Sequence, residues 1–363
     1  MKVALGARLK DGPWGGGNQF GAALARHLRA KGHTVCADLG ADDIDVILMT
    51  DPRWHSTSSA FNDIDILQYL DAVNPRVVVV HRVNECDAGR NTKLRDPRLA
   101  VANRCADHTI FISQWLRDYF SARRHRFAEP SVIRNGADSL LFNPNDAAVW
   151  TPGEPIRLVS HHWSDNWMKG FDIYILLDRL LGRAPFRNLF AFTYIGRLPS
   201  GVTLPNSRCL APLYGAELAS ALRQNHAYLT AARNEGAGMH HIEGAMCGLP
   251  ILYLDNGALT EYCTGFGVSF RPWTFEAGLM FLRDNFARHR ARMSEYPNTA
   301  ERMCGEYIAL FQDLLARGGE LVQARAQTRA HASGLIVRAR VLDTISRVAL
   351  SAQSLGRWRR GSS

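Results

Sequence analysis

Residues 234–250 read NEGAGMHHIEGAMCGLP, a glycine-rich turn followed by a short, mostly apolar segment that ends at Gly248. The pattern predicts a loop that leads into a helix. The first N–H groups of such a helix have no partner within it and carry partial positive charge, so they suit a phosphate group. The small residues of the turn let that phosphate approach the backbone closely. This stretch therefore indicates an anion site at the start of a helix.

Two glutamates lie eight residues apart in this stretch. Glu243, a little over one turn into the helix, can accept hydrogen bonds from a pair of sugar hydroxyls. Glu235 precedes the helix and lies nearer to whatever the phosphate is attached to. The alternative is a plain loop with one solvated glutamate, because carboxylates are common on protein surfaces. The choice depends on where the rest of the chain places this stretch.

A strand pattern at residues 226–231 precedes the stretch, and another at residues 157–160 leads into HHWSDNWMKG at residues 161–170. Strands that alternate with helical patterns predict a parallel sheet covered by helices. Ligands bind such sheets at the carboxyl ends of the strands, which puts Lys169 beside the glutamates as a charge for a phosphate. The paired histidines with Asp165 also suggest a metal, but further ligands are not evident nearby, so we expect no metal site.

The amino-terminal half begins with the same kind of pattern: a strand at residues 2–8, a glycine-rich loop at residues 11–17 and a helix at residues 18–31. The loop lacks the G-x-G-x-x-G spacing of dinucleotide-binding folds and the Gly-Lys-Ser/Thr of a Walker loop. Its three consecutive glycines either let the backbone approach a ligand or form a flexible turn.

An apolar strand at residues 77–80 ends at His81 and Arg82. A strand that is apolar throughout is covered on both faces, and its carboxyl end is where ligands bind. These two side chains are therefore placed for chemistry, with a structural hydrogen-bonding role as the alternative.

A turn at Asn135-Gly136 and a Pro/Gly/Asp-rich stretch up to residue 155 mark a boundary, after which the strand and helix alternation restarts. We predict one α/β domain at residues 1–145, a second at residues 146–320, and a basic amphipathic helix and tail at residues 321–363.

Composition narrows the class of protein. Of the 363 residues, 46% are hydrophobic and 21% are charged, as in a globular protein. No run approaches the roughly 18 apolar residues of a membrane span, and the first residues lack the pattern of a signal peptide. Seven scattered cysteines, never spaced Cys-x-x-Cys, argue against a disulfide framework and a zinc site. We therefore expect a cytoplasmic protein.

The net charge of +9 is concentrated at the carboxyl end, where residues 317–363 contain nine arginines against Glu320 and Asp343. A helix predicted at residues 333–355 carries an apolar stripe, made of Val337, Val341, Leu342, Ile345, Val348, Ala349 and Ala352. This helix either docks on the protein's own domains or lies on an anionic membrane, at the inner face. Nucleic-acid binding is the weaker interpretation, because aromatic residues are scarce in the tail.

These features resemble the GT-B glycosyltransferases, in particular the retaining family 4 group, whose Glu-x7-Glu signature matches Glu235 and Glu243. The resemblance covers nearly all of residues 1–320. Four other groups of residues support the resemblance: Gly15–Gly17 after the first strand, Asn135–Asp138 with Phe142 and Pro144 at the domain junction, Lys169-Gly170, and Glu261 after Gly257. It implies two Rossmann-like domains that face each other across a cleft, with C-terminal helices, the nucleotide sugar held mainly by the second domain and the acceptor by the first.

The resemblance also implies roles for individual residues. Glu235 at the transferred sugar, His81 near that sugar and Lys169 at the diphosphate are the expected catalytic residues. The expected nucleotide-sugar site contains Gly15, Gly16, Gly17, His162, Lys169, Arg197, Gly236, Ala237, Gly238, Met239 and Glu243, the last on the ribose hydroxyls. Arg82, Asn84 and Glu85 are expected to bind the acceptor. The implied reaction is a retaining, metal-independent transfer from a nucleotide diphosphate sugar, without a cofactor, to a glycan or lipid-linked glycan.

One departure from the family pattern concerns charge. The family usually has an arginine five or six residues before the lysine, where this chain has Ser164 and Trp163. His162, Arg197 or Arg233 supplies the second charge, or diphosphate binding is weaker. The alternatives to a transferase are a sugar-nucleotide epimerase and a non-catalytic protein that binds sugar nucleotides or glycans on the same fold.

Overall fold

The computed structural model describes residues 1–12, 14–329 and 334–347. Within these residues the strands form two six-stranded sheets. The first sheet contains β1 (Lys2–Leu5), β2 (Thr34–Cys36), β3 (Val46–Met49), β4 (Val78–Val83), β5 (His108–Phe111) and β6 (Pro130–Val132). The second contains β7 (Ile156–His162), β8 (Phe190–Gly196), β9 (Arg208–Leu210), β10 (Ala227–Thr230), β11 (Ile251–Leu254) and β12 (Gly267–Phe270).

Helices connect these strands. Those of the first half are α1 (Gly16–Ala30), α2 (Asp63–Ala72), α3 (Asp87–Arg90), α4 (Arg95–Ala102) and α5 (Gln114–Ala122). Those of the second half are α6 (Phe171–Leu181), α7 (Phe186–Leu189), α8 (Gly215–Arg223), α9 (Met239–Met246), α10 (Leu259–Cys263), α11 (Phe275–Asp284), α12 (Phe286–Arg292), α13 (Ala300–Ala316) and α14 (Gly318–Arg329). Short 3-10 turns cover Asn103–Cys105, Trp167–Lys169, Pro272–Thr274 and Met293–Glu295.

Both sheets are parallel, with the strand orders β2-β1-β3-β4-β5-β6 and β12-β11-β10-β7-β8-β9. Parallel strands are covered by helices on both faces, which explains why all six residues of β4 are buried. In each sheet the carboxyl ends of the strands lie at one edge. The predicted α/β class with two Rossmann-like domains is confirmed.

The edges of the two sheets face each other and are joined by hydrogen bonds. The Ser113 hydroxyl donates to the carbonyl of Gly236 at 2.8 Å, and the Asn135 amide donates to the carbonyl of Ala237 at 2.8 Å. The Tyr262 hydroxyl donates to the carbonyl of Ile112 at 2.6 Å. The loop before α9, from the second half, is therefore held by side chains of the first half.

The first helix begins earlier than the sequence predicts. Gly15 precedes it with φ +82°, a left-handed conformation that favours glycine, and α1 begins at Gly16 rather than at Asn18. The last two glycines of the predicted loop are thus the first turn of the helix.

Helix α13 returns to the first sheet. Its buried residues Met303 and Phe311 pack in one core cluster with Val3 and Phe20. The ring centroids of Tyr307 and Phe20 are 5.2 Å apart. A segment inside the range 146–320, which we assigned to the second domain, is therefore part of the first core.

Residues 334–347 are helical and contact the first half through a polar side chain. Asp343 is fully buried and accepts from Nε of Arg98 at 2.9 Å, whereas Val337, Val341 and Ile345 are 61%, 51% and 49% exposed. The predicted apolar stripe thus points outward, because the opposite face carries the buried ion pair. Val348, Ala349 and Ala352 of that stripe, and the arginines after residue 347, lie outside the described residues. None of the helices in the described ranges is long and apolar enough to span a bilayer.

Candidate active site

A cavity of about 350 Å³ lies between the two sheets, at the carboxyl ends of their strands. Its first-half wall includes Arg8 after β1, Asp51 and Arg53 after β3, and Asn84 and Glu85 after β4. Its second-half wall follows β7, β8 and β10, and contains His161, His162, Lys169, Glu235, Ala237, Gly238, Met239 and Glu243. Most of the residues that the sequence predicted for the donor site thus line one cavity.

The starts of α1 and α9 touch across this cavity. A Cβ atom added to Gly16 would lie 2.6 Å from Cγ of Met239, so only glycine allows this approach. A Cβ atom added to Gly15 would lie 3.7 Å from Cδ1 of Trp163, an ordinary contact distance, and one added to Gly17 would face open space. The predicted glycine loop therefore closes the cavity against the second half.

The start of α9 is suited to an anion. Gly238 precedes the helix, and no side chain in the described part of the chain caps its first N–H groups, which are left for a ligand or water. Ala237 has φ +123°, a strained conformation for a residue with a side chain, and its carbonyl is fixed by Asn135. Gly236 is buried behind the loop and is not among the residues that line the cavity.

Glu235 and Lys169 form an ion pair in the cavity, with Nζ of Lys169 donating to Oε2 of Glu235 at 2.5 Å. Burial by itself raises the pKa of Glu235, but the charges of Lys169 and Arg90 outweigh this effect and lower the pKa below its usual value. Glu235 is therefore a carboxylate at neutral pH.

Glu243 lies deeper and is held by His161. Nε2 of His161 lies 2.7 Å from Oε2 of Glu243, and Nδ1 lies 3.1 Å from the Tyr228 hydroxyl. Glu243 is 1% exposed, and its Oε1 finds no partner within the described part of the chain. A buried carboxylate oxygen without a donor favours a ligand that brings its own hydroxyl group.

None of the three residues predicted to supply a second positive charge offers a free charge to the cavity. His162 is buried, with Nε2 2.7 Å from the Tyr174 hydroxyl, and burial together with the charge of Lys169 holds its pKa well below 6.5, so the ring is neutral. Arg233 forms two hydrogen bonds with Asp172, at 2.6 and 2.5 Å. The guanidinium of Arg197 stacks on the ring of Trp163 at 4.2 Å, behind the cavity lining.

Cations come instead from the first half. Arg8, Lys10, Arg53 and Arg90 all line the cavity. Arg90 belongs to the stretch 82–92, whose charged and amide groups suit an acceptor rich in hydroxyls, but Arg8, Lys10 and Arg53 were not predicted from the sequence. Arg8 and Arg53 follow the carboxyl ends of β1 and β3, so the rule that singled out His81 and Arg82 would also have found them.

The predicted acceptor residues Arg82, Asn84 and Glu85 all line the cavity. His81 does not: its ring is fully buried, with Nδ1 3.1 Å from the Asn103 amide nitrogen. Burial lowers the pKa of His81 to about 3, which keeps it neutral. Adjacent residues of a strand point to opposite faces, so Arg82 reaches the cavity and His81 points away from it.

Across residues 1–12, 14–329 and 334–347, no group of three or more His, Cys, Asp and Glu side chains is arranged to hold a metal ion. The rings of His162 and His240, 4.6 Å apart, belong to the interior of the second half.

Solved structures with the same fold are glycosyltransferases. The chain resembles sucrose-phosphate synthase from Thermosynechococcus elongatus with a TM-score of 0.61 and 14% identity, over 87% of this chain and 99% of the other. It also resembles Anabaena HepE, which was solved in complex with UDP and glucose. There the TM-score is 0.62 and the identity 14%, over 86% of this chain and 100% of the other. It also resembles the catalytic domain of Arabidopsis thaliana starch synthase IV, bound to ADP and acarbose. There the TM-score is 0.62 and the identity 10%, over 87% of this chain and 99% of the other.

No family model matches the chain, and no curated protein matches its sequence. At identities of 10–14%, the likeness to these structures establishes the fold alone. The chain has the GT-B fold of these glycosyltransferases, two Rossmann-like halves with a cavity between them.

Proposed function

We propose that this protein is a retaining glycosyltransferase that moves a sugar from a nucleotide diphosphate sugar to a glycan or lipid-linked glycan. The observation that carries the proposal is the grouping of Lys169, Glu235, Glu243 and the uncapped start of α9 in one cavity, opposite the glycine turn of α1. Two of the structures with the same fold are described with a nucleoside diphosphate, UDP or ADP, which supports a donor of this class.

The donor is proposed to lie along the second-half wall. Glu243 takes the ribose hydroxyls through its free oxygen, and Lys169 with the N–H groups at the start of α9 takes the diphosphate. The glycine turn of α1 covers the diphosphate from the other side. Glu235, two residues before the strained Ala237, is then nearest to the transferred sugar.

The chemistry follows from charge. Breaking the glycosyl–phosphate bond places negative charge on the leaving oxygen, and fixed donors in a water-poor cavity stabilise that charge. Lys169 and the amides of α9 are such donors, so we propose that no metal is needed. Retention requires attack on the same face that the diphosphate leaves, with a leaving phosphate oxygen taking the acceptor's proton. Glu235, ionised, orients the sugar and stabilises positive charge on its ring.

The outer face of the helix at residues 334–347 bears on where the protein lies in the cell. The outward stripe Val337, Val341 and Ile345, with exposed Arg338 and Arg340 beside it, has the chemistry of a surface that lies on an anionic membrane. We propose a cytoplasmic protein that meets the inner face of the membrane through this helix.

A panel of nucleotide sugars, screened by thermal shift and then by hydrolysis, tests the proposal. We expect one donor to stabilise the protein and to be slowly cleaved, with release of the nucleoside diphosphate and the same rate in EDTA. If a donor binds and is never cleaved, the protein is a non-catalytic binding protein. Conversion of the donor to an isomeric nucleotide sugar would identify an epimerase. No response to any donor would contradict both the transferase and the binding function.

A further inference from the structure

The first-half wall of the cavity holds more positive than negative charge. Glu85 contacts three guanidinium groups at once: Arg95, Arg90 at 3.0 Å and Arg53 at 3.5 Å. Arg53 also forms two hydrogen bonds with Asp51, at 2.8 and 2.6 Å. Two carboxylates, of Glu85 and Asp51, are thus paired with three arginines, which leaves one positive charge in excess. The side chain of Glu85 is only 13% exposed, so solvent screens this surplus poorly.

Arg82 adds a cation that has no carboxylate partner among the described residues. It is 2% exposed, stacks on the ring of Phe20 at 3.8 Å and donates from Nη2 to the side-chain carbonyl of Asn135 at 2.9 Å. Its Nε is buried and without a hydrogen-bond partner among the described residues. Burial lowers the pKa of Arg82, which reflects the cost of a buried charge that no acid compensates.

Arg8 lies at the mouth of the same wall. Its side chain is exposed and forms no ion pair in the described part of the chain. On the opposite wall the situation is reversed, because the lining contains two carboxylates, Glu235 paired with Lys169 and Glu243 in contact with His161. The positive surplus therefore belongs to the acceptor side of the cavity and not to the donor side.

We propose that the acceptor carries an anionic group, a phosphate or a carboxylate, that binds the arginine wall formed by Arg8, Arg53, Arg82 and Arg90. The proposal rests on the transferase function proposed above and specifies the class of its acceptor. Glu85 then orients Arg53 and Arg90 and does not itself contact the sugar hydroxyls. An anion between these guanidinium groups neutralises the surplus charge.

Titration with inorganic phosphate tests the site without any turnover. The protein is first saturated with UDP or ADP, whichever stabilises it, and phosphate is then added in a calorimeter. We expect phosphate to bind beside the nucleotide, and Arg8→Gln and Arg90→Gln to weaken phosphate about 10-fold or more, as expected for a lost charged hydrogen bond. Arg208→Gln, on the exposed edge strand β9, is the matched control and should bind phosphate like the parent.

Three results would overturn the proposal: displacement of the nucleotide by phosphate, absence of phosphate binding beside the nucleotide, or equal phosphate affinity in the parent and the Arg8→Gln variant. If neither UDP nor ADP nor any nucleotide sugar of the panel binds, the transferase proposal fails instead, and the same titration of the nucleotide-free protein still decides whether the arginine wall binds anions.

The source of the anion is decided with acceptors. Glucose, glucose 6-phosphate and glucuronate are compared in solution with a prenyl diphosphate-linked sugar in vesicles, each with the donor that the panel identifies. We expect the charged acceptors to be used at least about 10-fold faster than glucose, and Arg8→Gln to remove most of that preference. Transfer to the soluble phosphate or to the vesicle then names the source. A preference for neutral glucose, with donor hydrolysis intact, would contradict the anionic acceptor and leave the transferase function standing.

Discussion

His161 and Glu243 are joined by a contact of 2.7 Å between Nε2 and Oε2, and the other carboxylate oxygen of Glu243 is buried with no partner among the described residues. The Tyr228 hydroxyl, 3.1 Å from Nδ1 of His161, completes a chain of three side chains. With Tyr228 donating to Nδ1, the ring carries its proton on Nε2 and donates it to Glu243. The carboxylate is thereby fixed in orientation while one oxygen stays free for a ligand.

Glu243→Gln is the first test of this arrangement. The variant keeps the shape of the side chain but loses the charge that accepts from two hydroxyls, so the affinity for the nucleotide should fall about 10- to 100-fold. Calorimetry with UDP or ADP measures it. Glu217→Gln, in the exposed part of α8, is the control and should bind like the parent. Unchanged affinity in Glu243→Gln would remove this residue from the donor site.

Glu235 should separate binding from transfer. Glu235→Gln still accepts from Lys169 but has no negative charge beside the sugar, so we expect donor affinity within about 3-fold of the parent and transfer reduced at least about 100-fold. Glu235→Ala should behave in the same way. Binding by calorimetry and initial rates of transfer, measured on the same preparations, check both parts. Transfer at the parent rate in either variant would show that Glu235 has no part in the chemistry.

Substitutions at Gly16 and Met239 should have coupled effects on donor affinity. In Gly16→Ala the new methyl group would lie 2.6 Å from Cγ of Met239, so the Met239 side chain or α1 has to shift at the mouth of the donor site, and the donor should bind at least about 10-fold more weakly. Met239→Ala removes that Cγ, and the double variant should recover part of the affinity. Gly17→Ala is the control for helix stability, because its methyl group would face open space. Additive effects in a double-mutant cycle would contradict the proposed contact.

Buried neutral histidines predict how stability depends on pH. Burial lowers the pKa of His241 to about 3, far below the roughly 6.5 of an unfolded histidine. Between about pH 6 and pH 4 the unfolded chain therefore binds a proton that the folded chain does not, and the free energy of unfolding falls as the pH falls. Each such histidine contributes up to about 1.4 kcal/mol per pH unit.

His241→Phe should reduce that slope by one histidine's contribution. Urea unfolding at several pH values between 6.5 and 4.5 measures it. Ile242→Val, at a neighbouring buried position, should cost about 0.5–1.5 kcal/mol at every pH and leave the slope unchanged. An identical slope in His241→Phe and the parent would mean that this ring is protonated in the folded protein.

Much of the site could be predicted because its residues obey a local rule. Lys169 and Glu235 follow the carboxyl ends of β7 and β10, Arg82 lies near the carboxyl end of β4, and parallel strands bring those ends together. His81 shows the limit of that rule. Strand β4 is buried on both faces, so its apolar run gives no alternation from which to tell that Arg82 faces the cavity and His81 faces away.

Long-range contacts explain the other differences. The predicted apolar stripe of the last helix points outward because Asp343 is paired with Arg98, 245 residues away in sequence. Likewise nothing in the sequence around Glu85 indicates that Arg53, from the loop after β3, joins Arg90 and Arg95 around its carboxylate. No periodicity or local spacing reports such pairs.

The pair between Asp343 and Arg98 makes a last prediction, about the attachment of the helix at residues 334–347. Arg98 is 1% exposed and also donates two hydrogen bonds to Asp63, so its charge stays paired when Asp343 is removed, but its Nε loses its partner. In Asp343→Ala this helix should be held more weakly by about 1–3 kcal/mol, whereas Asp343→Asn keeps an acceptor and should lose less. Amide hydrogen exchange of residues 334–347 measures it, with exchange at least about 5-fold faster in Asp343→Ala. Arg340→Ala, on the exposed face, is the control and should exchange like the parent. Parent-like exchange in Asp343→Ala would mean that apolar contacts such as that of the buried Ala339, and not the ion pair, hold the helix in place.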